Sequence, residues 1–374
     1  MKSLTGDLLA NFILADFCYN KNRTTAKNHF MLKKSLTKFP SELRLDLVSQ
    51  DWVVIATGRA QRPEMFKKLQ PRQDTSQDCP FCFLDAMSKP SAVFIDGRLV
   101  DFSGKKIPIN WSVIVKPNKF PAFVPAKQLK EEIEGGLYKK MPAVGFHEVV
   151  ILREHNVELS QLTLAKMEEL LAVYQQRYLA LVKEKFVNHI SIFHNRGSAA
   201  GASISHPHSQ IITTPLVDLD LKKSSQAASD YFKKRGECVY CQMARWELKA
   251  KKRLVFENNG FVALCPFASK VAFEVIISPK THLSYFEKIS KEERQDLAQA
   301  MLDVLGKLDK GLGSPDYNFY LHTAPTDGSS YPFYHWHFTI MPKTSIPAGF
   351  EIGTQMEIST IEPEKAAQYL QSIK

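Results

Sequence analysis

The chain has 374 residues, is 44% hydrophobic and 24% charged, and has a formal net charge of +10. That composition belongs to a globular protein long enough for two domains, and it excludes a disordered or collagen-like chain. No apolar run reaches the ~20 residues of a membrane span, and the early "LLANFILADFCY" is cut by Asp16 and lacks a small-residue cleavage site, so no membrane role and a cytoplasmic protein are expected.

The positive charge asks for an anionic ligand: a nucleic acid, a membrane surface or a phosphorylated small molecule. Part of it sits in residues 1–40, where Lys2, Lys21, Arg23, Lys27, Lys33, Lys34 and Lys38 face only Asp7 and Asp16. This stretch reads as a loosely ordered extension, with Met31 as a second candidate start. Next come "CPFC" (Cys79 and Cys82) and, far downstream, "CVYC" (Cys238 and Cys241), which together hold four of the six cysteines. With no secretory features, such pairs point to metal or redox chemistry rather than a disulfide framework. A redox pair is expected to open a helix in a βαβ unit. Cys79 instead lies between the loop-like "QPRQDTSQD" and "FLDAMSKP", which favours a metal.

From there the chain repeats itself. "PNKFPAFVPA" is answered by "NNGFVALCPFA", "GFHEVVILREH" by "AFEVIISPKTH", and "ISIFHNRGSAAGASISHPHSQIITTP" by "YNFYLHTAPTDGSSYPFYHWHFTIMP". Each half runs C-x-x-C, an Asn-aromatic strand, a strand leading to a lone His, an amphipathic helix, a strand, a loop, and H-x-H on a last strand. The helices are "LSQLTLAKMEELLAVYQQRYLALVKEKF" and "SKEERQDLAQAMLDVLGKL". The lone His and the H-x-H shift by nearly the same distance between halves (His155 to His282, His206 to His335). The cysteine pair shifts further, so "DAMSKPSAVFIDGRLVDFSGKK" reads as an insertion in the first half. The expected fold is α+β: two tandem units from an internal duplication, each an antiparallel sheet with a helix, over residues 41–218 and 219–374.

Each half therefore offers two thiols, a lone imidazole and the first imidazole of H-x-H. This closed set of four soft and borderline donors suits zinc. The expected sites are Cys79, Cys82, His155 and His206, and Cys238, Cys241, His282 and His335. Any one of these histidines alone would read as an ordinary packed residue; recurrence in both halves is what singles them out. His29, His147, His189, His194 and His322 have no such counterpart and keep the ordinary reading.

"SAAGASISHPHSQII" carries the remaining chemistry. Residues i and i+2 of a strand share a face, so His206 and His208 stand side by side, and a metal on His206 leaves His208 free. A neutral imidazole is a good nucleophile, and attack on phosphorus splits a hard transfer into two easier steps. Gly197 and Gly201 would let backbone N–H groups approach phosphate oxygens, and Gln210 could donate its amide N–H to them.

HPHSQII resembles the histidine-triad pattern with its third His replaced by Gln, and the chain from about Glu42 onward is similar to the galactose-1-phosphate uridylyltransferase family. "ELRLDLVSQDWVVIATGRAQRP" resembles that family's opening and "GFEIGTQMEISTIEPEKAAQYL" its end. The resemblance implies a nucleotidyl-His208 intermediate with Gln210 and Ser203 on the phosphates. It places Arg59 and Arg62 at the nucleotide's phosphates or ribose, Phe81, Asn118 and Phe120 in the nucleoside pocket, and Asn195 near the diphosphate. Phe350 and Glu351 fall at the sugar. It further implies a UDP-sugar and a sugar 1-phosphate as substrates, and a homodimer.

Ser209 stands where many of these uridylyltransferases have Gly, and with "GASISHPHSQ" and the "EIGTQ" tail it also resembles the ADP-glucose phosphorylase relatives. In the second half "HWHFTIMP" offers Phe338 and Thr339 in place of Ser209 and Gln210, so His337 reads as an unused relic. The rival from another class, a zinc-ribbon nucleic-acid binder, wants its cysteine pairs ~15–20 residues apart. Here they lie in different halves, no basic stripe is interleaved with aromatics, and HPHSQ would have no use.

Overall fold

The computed structural model describes residues 41–57, 79–84, 89–101 and 106–374. The 1–40 segment, His29, Arg59 and Arg62 lie outside the described residues. In chain order the strands and helices of the first half are β1 (Glu42–Leu45), β2 (Trp52–Ile55), β3 (Ala92–Ile95), β4 (Arg98–Leu99), β5 (Val113–Pro117), β6 (Glu132–Glu134), β7 (Tyr138–Lys140), β8 (His147–Leu152), α1 (Leu164–Leu181), β9 (His189–Arg196) and β10 (His208–Thr214). The second half has α2 (Leu219–Arg235), α3 (Val239–Ala250), β11 (Leu254–Glu257), β12 (Phe261–Leu264), β13 (Val275–Pro279), α4 (Lys291–Leu312), β14 (Tyr317–His322), β15 (His337–Pro342), α5 (Gly349–Thr354), β16 (Ile358–Ser359) and α6 (Pro363–Ser372).

The fold is α+β, and the two halves share one sheet. Eleven strands run in the order β11-β12-β13-β15-β14-β9-β10-β8-β5-β3-β4, with antiparallel neighbours throughout. The seam between halves is β9 against β14, where Asn195 pairs with Asn318. Asn318 Nδ2 donates to Asn195 Oδ1 at 2.8 Å and to the Ala200 carbonyl at 2.8 Å. On either side of the seam the order repeats, β10-β8-β5-β3 against β15-β13-β12-β11.

Two expectations change. The stretch read as an insertion supplies β3, which pairs with β5 as β11 pairs with β12, so part of it belongs to the repeat. Among the described residues from β3 to β10, β4 and the separate β6–β7 hairpin are the strands that extend beyond the repeated order. "PNKFPAFVPA", expected as a strand, is a loop beginning where β5 ends. Pro121 and Pro125 lack the N–H that a ladder needs.

One sheet face is closed by α1 and α4. Thr163 caps α1 through Lys166 N–H, and Ser290 with Glu293 forms a capping box on α4. The helices lay Leu170, Leu171, Tyr174, Val304, Leu305 and Leu308 against Ile190, Ile192, Ile211, Phe319 and Phe338 in one buried cluster. Each such side chain contributes about 1.5–3 kcal/mol of burial, so this face is the stabilising core. Arg294 of α4 ties the two duplicated helices by donating to Glu168 at 2.6 Å and Gln175 Oε1 at 2.5 Å. The opposite face carries His208 and Gln210 and is covered in part by the cysteine loop. Among the described residues no helix is long and apolar enough to cross a membrane.

Candidate active site

β10 lies between β8 and β9, and its alternation decides what it shows to each side. Ser209, Ile211 and Thr213 point to the helices and are buried, while His208, Gln210 and Ile212 take the other face. His208 Nδ1 lies 2.9 Å from the His206 carbonyl. A carbonyl only accepts, so Nδ1 carries the proton and Nε2 keeps its lone pair. Burial lowers the His208 pKa, opposed by this backbone hydrogen bond, and the ring is neutral at pH 7. Phe81 packs edge-on against it, with ring centres 4.8 Å apart. A neutral imidazole with a fixed tautomer, its far nitrogen unprotonated, is prepared to act as a nucleophile.

The cysteine loop also packs on this face. Cys79 and Phe81 join Val93, Ile114, Val149 and Ile151 in a second buried cluster. The side chains of Cys79, Cys82, His155 and His206 converge so that their donor atoms lie within 4.8 Å of one another. Cys82 Sγ is 3.2 Å from His155 Nδ1 and 3.5 Å from His206 Nδ1. His206 Nε2 donates to the Leu152 carbonyl at 2.7 Å, which frees Nδ1 for a cation, the usual arrangement behind a metal-bound imidazole.

The second half repeats this with Cys238, Cys241, His282 and His335. His335 Nε2 donates to the Pro279 carbonyl at 2.9 Å and His282 Nε2 to Pro332 at 2.8 Å. The local setting differs, because Cys238 is the N-cap of α3 whereas Cys79 and Cys82 lie in a turn. Both groups can hold a metal ion.

The remaining expected site residues are distributed unevenly. Asn195 is on β9, next to the strand that bears His208, with its Oδ1 engaged by Asn318. Asn118 Oδ1 accepts from Phe120 N–H at 2.9 Å, closing the turn of the loop after β5, and Phe120 is 80% exposed. Ser203 is exposed in the loop before His206. Phe350 is half-exposed on α5, and Glu351 accepts from Ala348 N–H at 3.0 Å to cap that helix; neither belongs to the strands that bear His208.

The small-residue loop is used differently from expectation. Gly197 has φ +79°, and a Cβ there would collide with the Asp316 carboxylate. Asp316 Oδ2 accepts from Ala199 N–H at 2.7 Å. The first glycine therefore lets a carboxylate from the second half anchor the loop, rather than bringing N–H groups to a phosphate. Gly201 has φ +84° with open space around it.

Of the histidines given an ordinary reading, His194 fits it. It faces the core, stacks on Phe319 at 5.2 Å, contacts Ser209 Oγ at 3.2 Å, and burial pushes its pKa down to about 3. His147 does not fit. Its Nε2 is 2.8 Å from Gln210 Oε1, a contact across β8 and β10 that no local pattern signals. Ser209, the departure from Gly, bonds Tyr174 Oη at 2.5 Å on the helix side. It ties β10 to α1 and lies on the sheet face opposite His208.

A cavity of about 920 Å³ opens on the second half, with walls from His322, His337, Tyr240, Tyr320 and Asn195 but neither His208 nor Gln210. Its cations are committed: Lys223 and Lys270 to Asp51, Arg253 to Glu247. Volume alone thus points to the half where Thr339 replaces Gln210, and the donor arrangement points to His208. A phosphate needs uncommitted donors, so the donor arrangement is the stronger guide.

Residues 31–218 match the family described as galactose-1-phosphate uridyl transferase, N-terminal domain, and residues 224–374 match its C-terminal domain. The chain is 32% identical over 340 residues to the ADP-glucose phosphorylase of Arabidopsis thaliana, covering 89% of this chain and 93% of the relative. It is 28% identical over 338 residues to the galactose-1-phosphate uridylyltransferase of Thermotoga maritima, covering 88% and 97%. In three dimensions it is similar to the crystal structure of the Arabidopsis thaliana ADP-glucose phosphorylase with bound ADP-glucose (TM-score 0.74, 29% identity, 89% and 99% covered). It is also similar to a uridylyltransferase structure (TM-score 0.67, 28% identity, 89% and 98% covered).

Proposed function

The chain belongs to the galactose-1-phosphate uridyl transferase family, and from that premise we propose that it transfers a uridylyl group from UDP-glucose to galactose 1-phosphate through a covalent intermediate on His208. His208 Nε2 attacks the α-phosphorus, and the bond to the bridging oxygen breaks. Glucose 1-phosphate leaves with that electron pair. A phosphate oxygen of galactose 1-phosphate then attacks the same phosphorus, breaks the N–P bond and departs as UDP-galactose. Gln210 donates to the transferred phosphate without offering a proton for water to exploit; a Gln210→His enzyme with unchanged hydrolysis of the intermediate would count against that role.

The observation that supports this reading most is the hydrogen bond from His208 Nδ1 to the His206 carbonyl, which leaves Nε2 unprotonated beside Gln210. In this reading residues 41–218 form the catalytic half of a cytoplasmic enzyme, with Arg59, Arg62, Phe81, Asn118, Phe120, Asn195 and Ser203 on the nucleotide. Residues 219–374 provide the second metal site and the sugar-recognition tail. Ile346, Phe350 and Ile352 are 91%, 49% and 71% exposed, an uncovered apolar segment suited to a second copy of the chain that would present Phe350 and Glu351 to the sugar.

Zinc is the metal that suits both Cys2His2 sets. Held by four protein donors it would supply structural cross-linking, pinning the cysteine loop to the strand that bears His208. A second reading within the family, phosphorolysis of ADP-glucose, is favoured by the relative at 32% identity and the TM-score of 0.74. Competition between UDP-glucose and ADP-glucose at equal concentration decides. Preferential consumption of UDP-glucose with galactose 1-phosphate supports the first reading, and preferential consumption of ADP-glucose with inorganic phosphate replaces it by the second.

A further inference from the structure

A glutamine amide has an acceptor end and a donor end of almost equal size, and its own shape does not decide which end faces a ligand. For Gln210 the choice matters, because a phosphate offers only acceptors and a carbonyl turned toward it would repel it. The surroundings make the choice. His147 starts β8, opposite Ile212 in the ladder with β10, so its ring is a diagonal neighbour of Gln210 on the open face.

Ala122 N–H donates to His147 Nδ1 at 3.1 Å. A backbone N–H can only donate, so Nδ1 holds the lone pair and the neutral ring carries its proton on Nε2. That Nε2 is 2.8 Å from Gln210 Oε1, and the hydrogen bond runs from the histidine to the amide oxygen. Asn118 Nδ2 also approaches His147 Nε2, at 3.0 Å. The other tautomer would accept from Asn118, but it would set Nδ1–H against the Ala122 N–H and the Nε2 lone pair against Gln210 Oε1, two mismatches. The Nε2–H tautomer leaves only the Asn118 amide unmatched and is the one the contacts favour. Gln210 Oε1 is thus occupied on the β8 side, and the amino end is what remains for the face shared with His208.

We propose that His147 is a positioning residue that holds the Gln210 amide with its NH2 toward the transferred phosphate. The inference rests on the reading given under Proposed function and adds a residue to it. The loop after β5 takes part through Ala122, so the segment expected to line the nucleoside pocket also sets the tautomer that orients the phosphate donor.

The test is a double-mutant cycle on the rate of nucleotidyl-His208 formation, followed by intact mass with whichever sugar nucleotide the wild-type enzyme accepts. The variants are His147→Phe, Gln210→Ala and the pair, with thermal unfolding as a check on folding. Loss of one well-placed donor slows such a step by about 10²-fold, so each single variant is expected to fall by about that factor. The pair should be no slower than Gln210→Ala alone, because His147 acts only through Gln210. Equal slowing by His147→Phe in both backgrounds, as a merely structural role would give, overturns the inference.

A second variant guards against misfolding of the His147→Phe protein. His147→Gln keeps an N–H donor for Gln210 Oε1 and is expected within about fivefold of wild type, since it preserves the one hydrogen bond at issue; a loss as large as that of Gln210→Ala counts against the proposal. No adduct in the wild-type enzyme would overturn the reading of the site and this inference with it. An adduct with independent losses would overturn the inference alone.

Discussion

His208 and His337 occupy the same place in the two halves. Each follows a buried metal-type histidine by two residues, and each donates Nδ1–H to that residue's carbonyl, at 2.9 Å for His208 and 3.1 Å for His337. Burial lowers both pKa values, that of His337 to about 4. The neighbours differ. His208 has Gln210 and, behind it, His147; His337 has Thr339 and lies stacked on His322, ring centres 4.6 Å apart, with Tyr240 at 5.3 Å. A strand carrying H-x-H thus orients and neutralises an imidazole by its own geometry. What surrounds each imidazole differs, and under the proposed function that difference assigns the chemistry to the first half.

The largest expected effect breaks that comparison directly. His208→Ala should lower the transfer rate by about 10⁴-fold or more, as loss of a nucleophile does. His337→Ala should leave the rate within about threefold while costing about 1–3 kcal/mol of stability, because it truncates a buried ring. Steady-state kinetics beside denaturant unfolding separates the two, and a large rate loss in His337→Ala would mean that both halves act.

Next come the metal groups. Cys79→Ser and Cys238→Ser should each reduce bound zinc from two equivalents per chain to about one, read by elemental analysis, and lower stability by several kcal/mol. Only Cys79→Ser should also slow adduct formation, since His206 belongs to the first group and its carbonyl orients His208.

The two loop glycines give a smaller contrast. Gly197→Ala should destabilise by about 2–3 kcal/mol through its positive φ and collision with Asp316, whereas Gly201→Ala, in open space, should lose only about 1 kcal/mol. A comparable fall in Tm for both would mean that Asp316 does not anchor the loop.

The most gradual effect, nil at pH 7 and growing only on acidification, is on acid stability. Burial depresses the pKa of His194 to about 3 and of His337 to about 4, against about 6.5 in the unfolded chain. Below pH 6.5 the unfolded state takes up protons that the folded state refuses. Stability is therefore fully present above pH 6.5 and falls on acidification by at most about 1.4 kcal/mol per pH unit for each group, down to its folded pKa. Denaturant unfolding of His194→Asn and His337→Asn between pH 7 and pH 5 should show a shallower slope than wild type.

The sequence exposes the duplication because its marks are chemical and local: C-x-x-C, a lone His and H-x-H recur in order. The amphipathic periods locate α1 and α4 to within a few residues, and the metal groups assemble from the histidines that recur. What escapes is long-range. Nothing near Asn195 or Asn318 announces that β9 and β14 join the halves into one sheet. His147 looks like an ordinary strand residue until β10 brings Gln210 beside it. The glycines before HPHSQ resemble a phosphate loop, and only the distant Asp316 shows why Gly197 is a glycine. "PNKFPAFVPA" misleads because its aromatic spacing outweighs two prolines that forbid a ladder.

The measurement that tests the central claim most directly is the intact mass of the protein after incubation with UDP-glucose or ADP-glucose alone, beside His208→Ala. The account predicts a nucleotidyl adduct on the wild-type chain, absent from His208→Ala and cleared by the matching acceptor, galactose 1-phosphate for a uridylyl group or phosphate for an adenylyl group. An adduct that persists in His208→Ala, or no adduct with either donor, would contradict it.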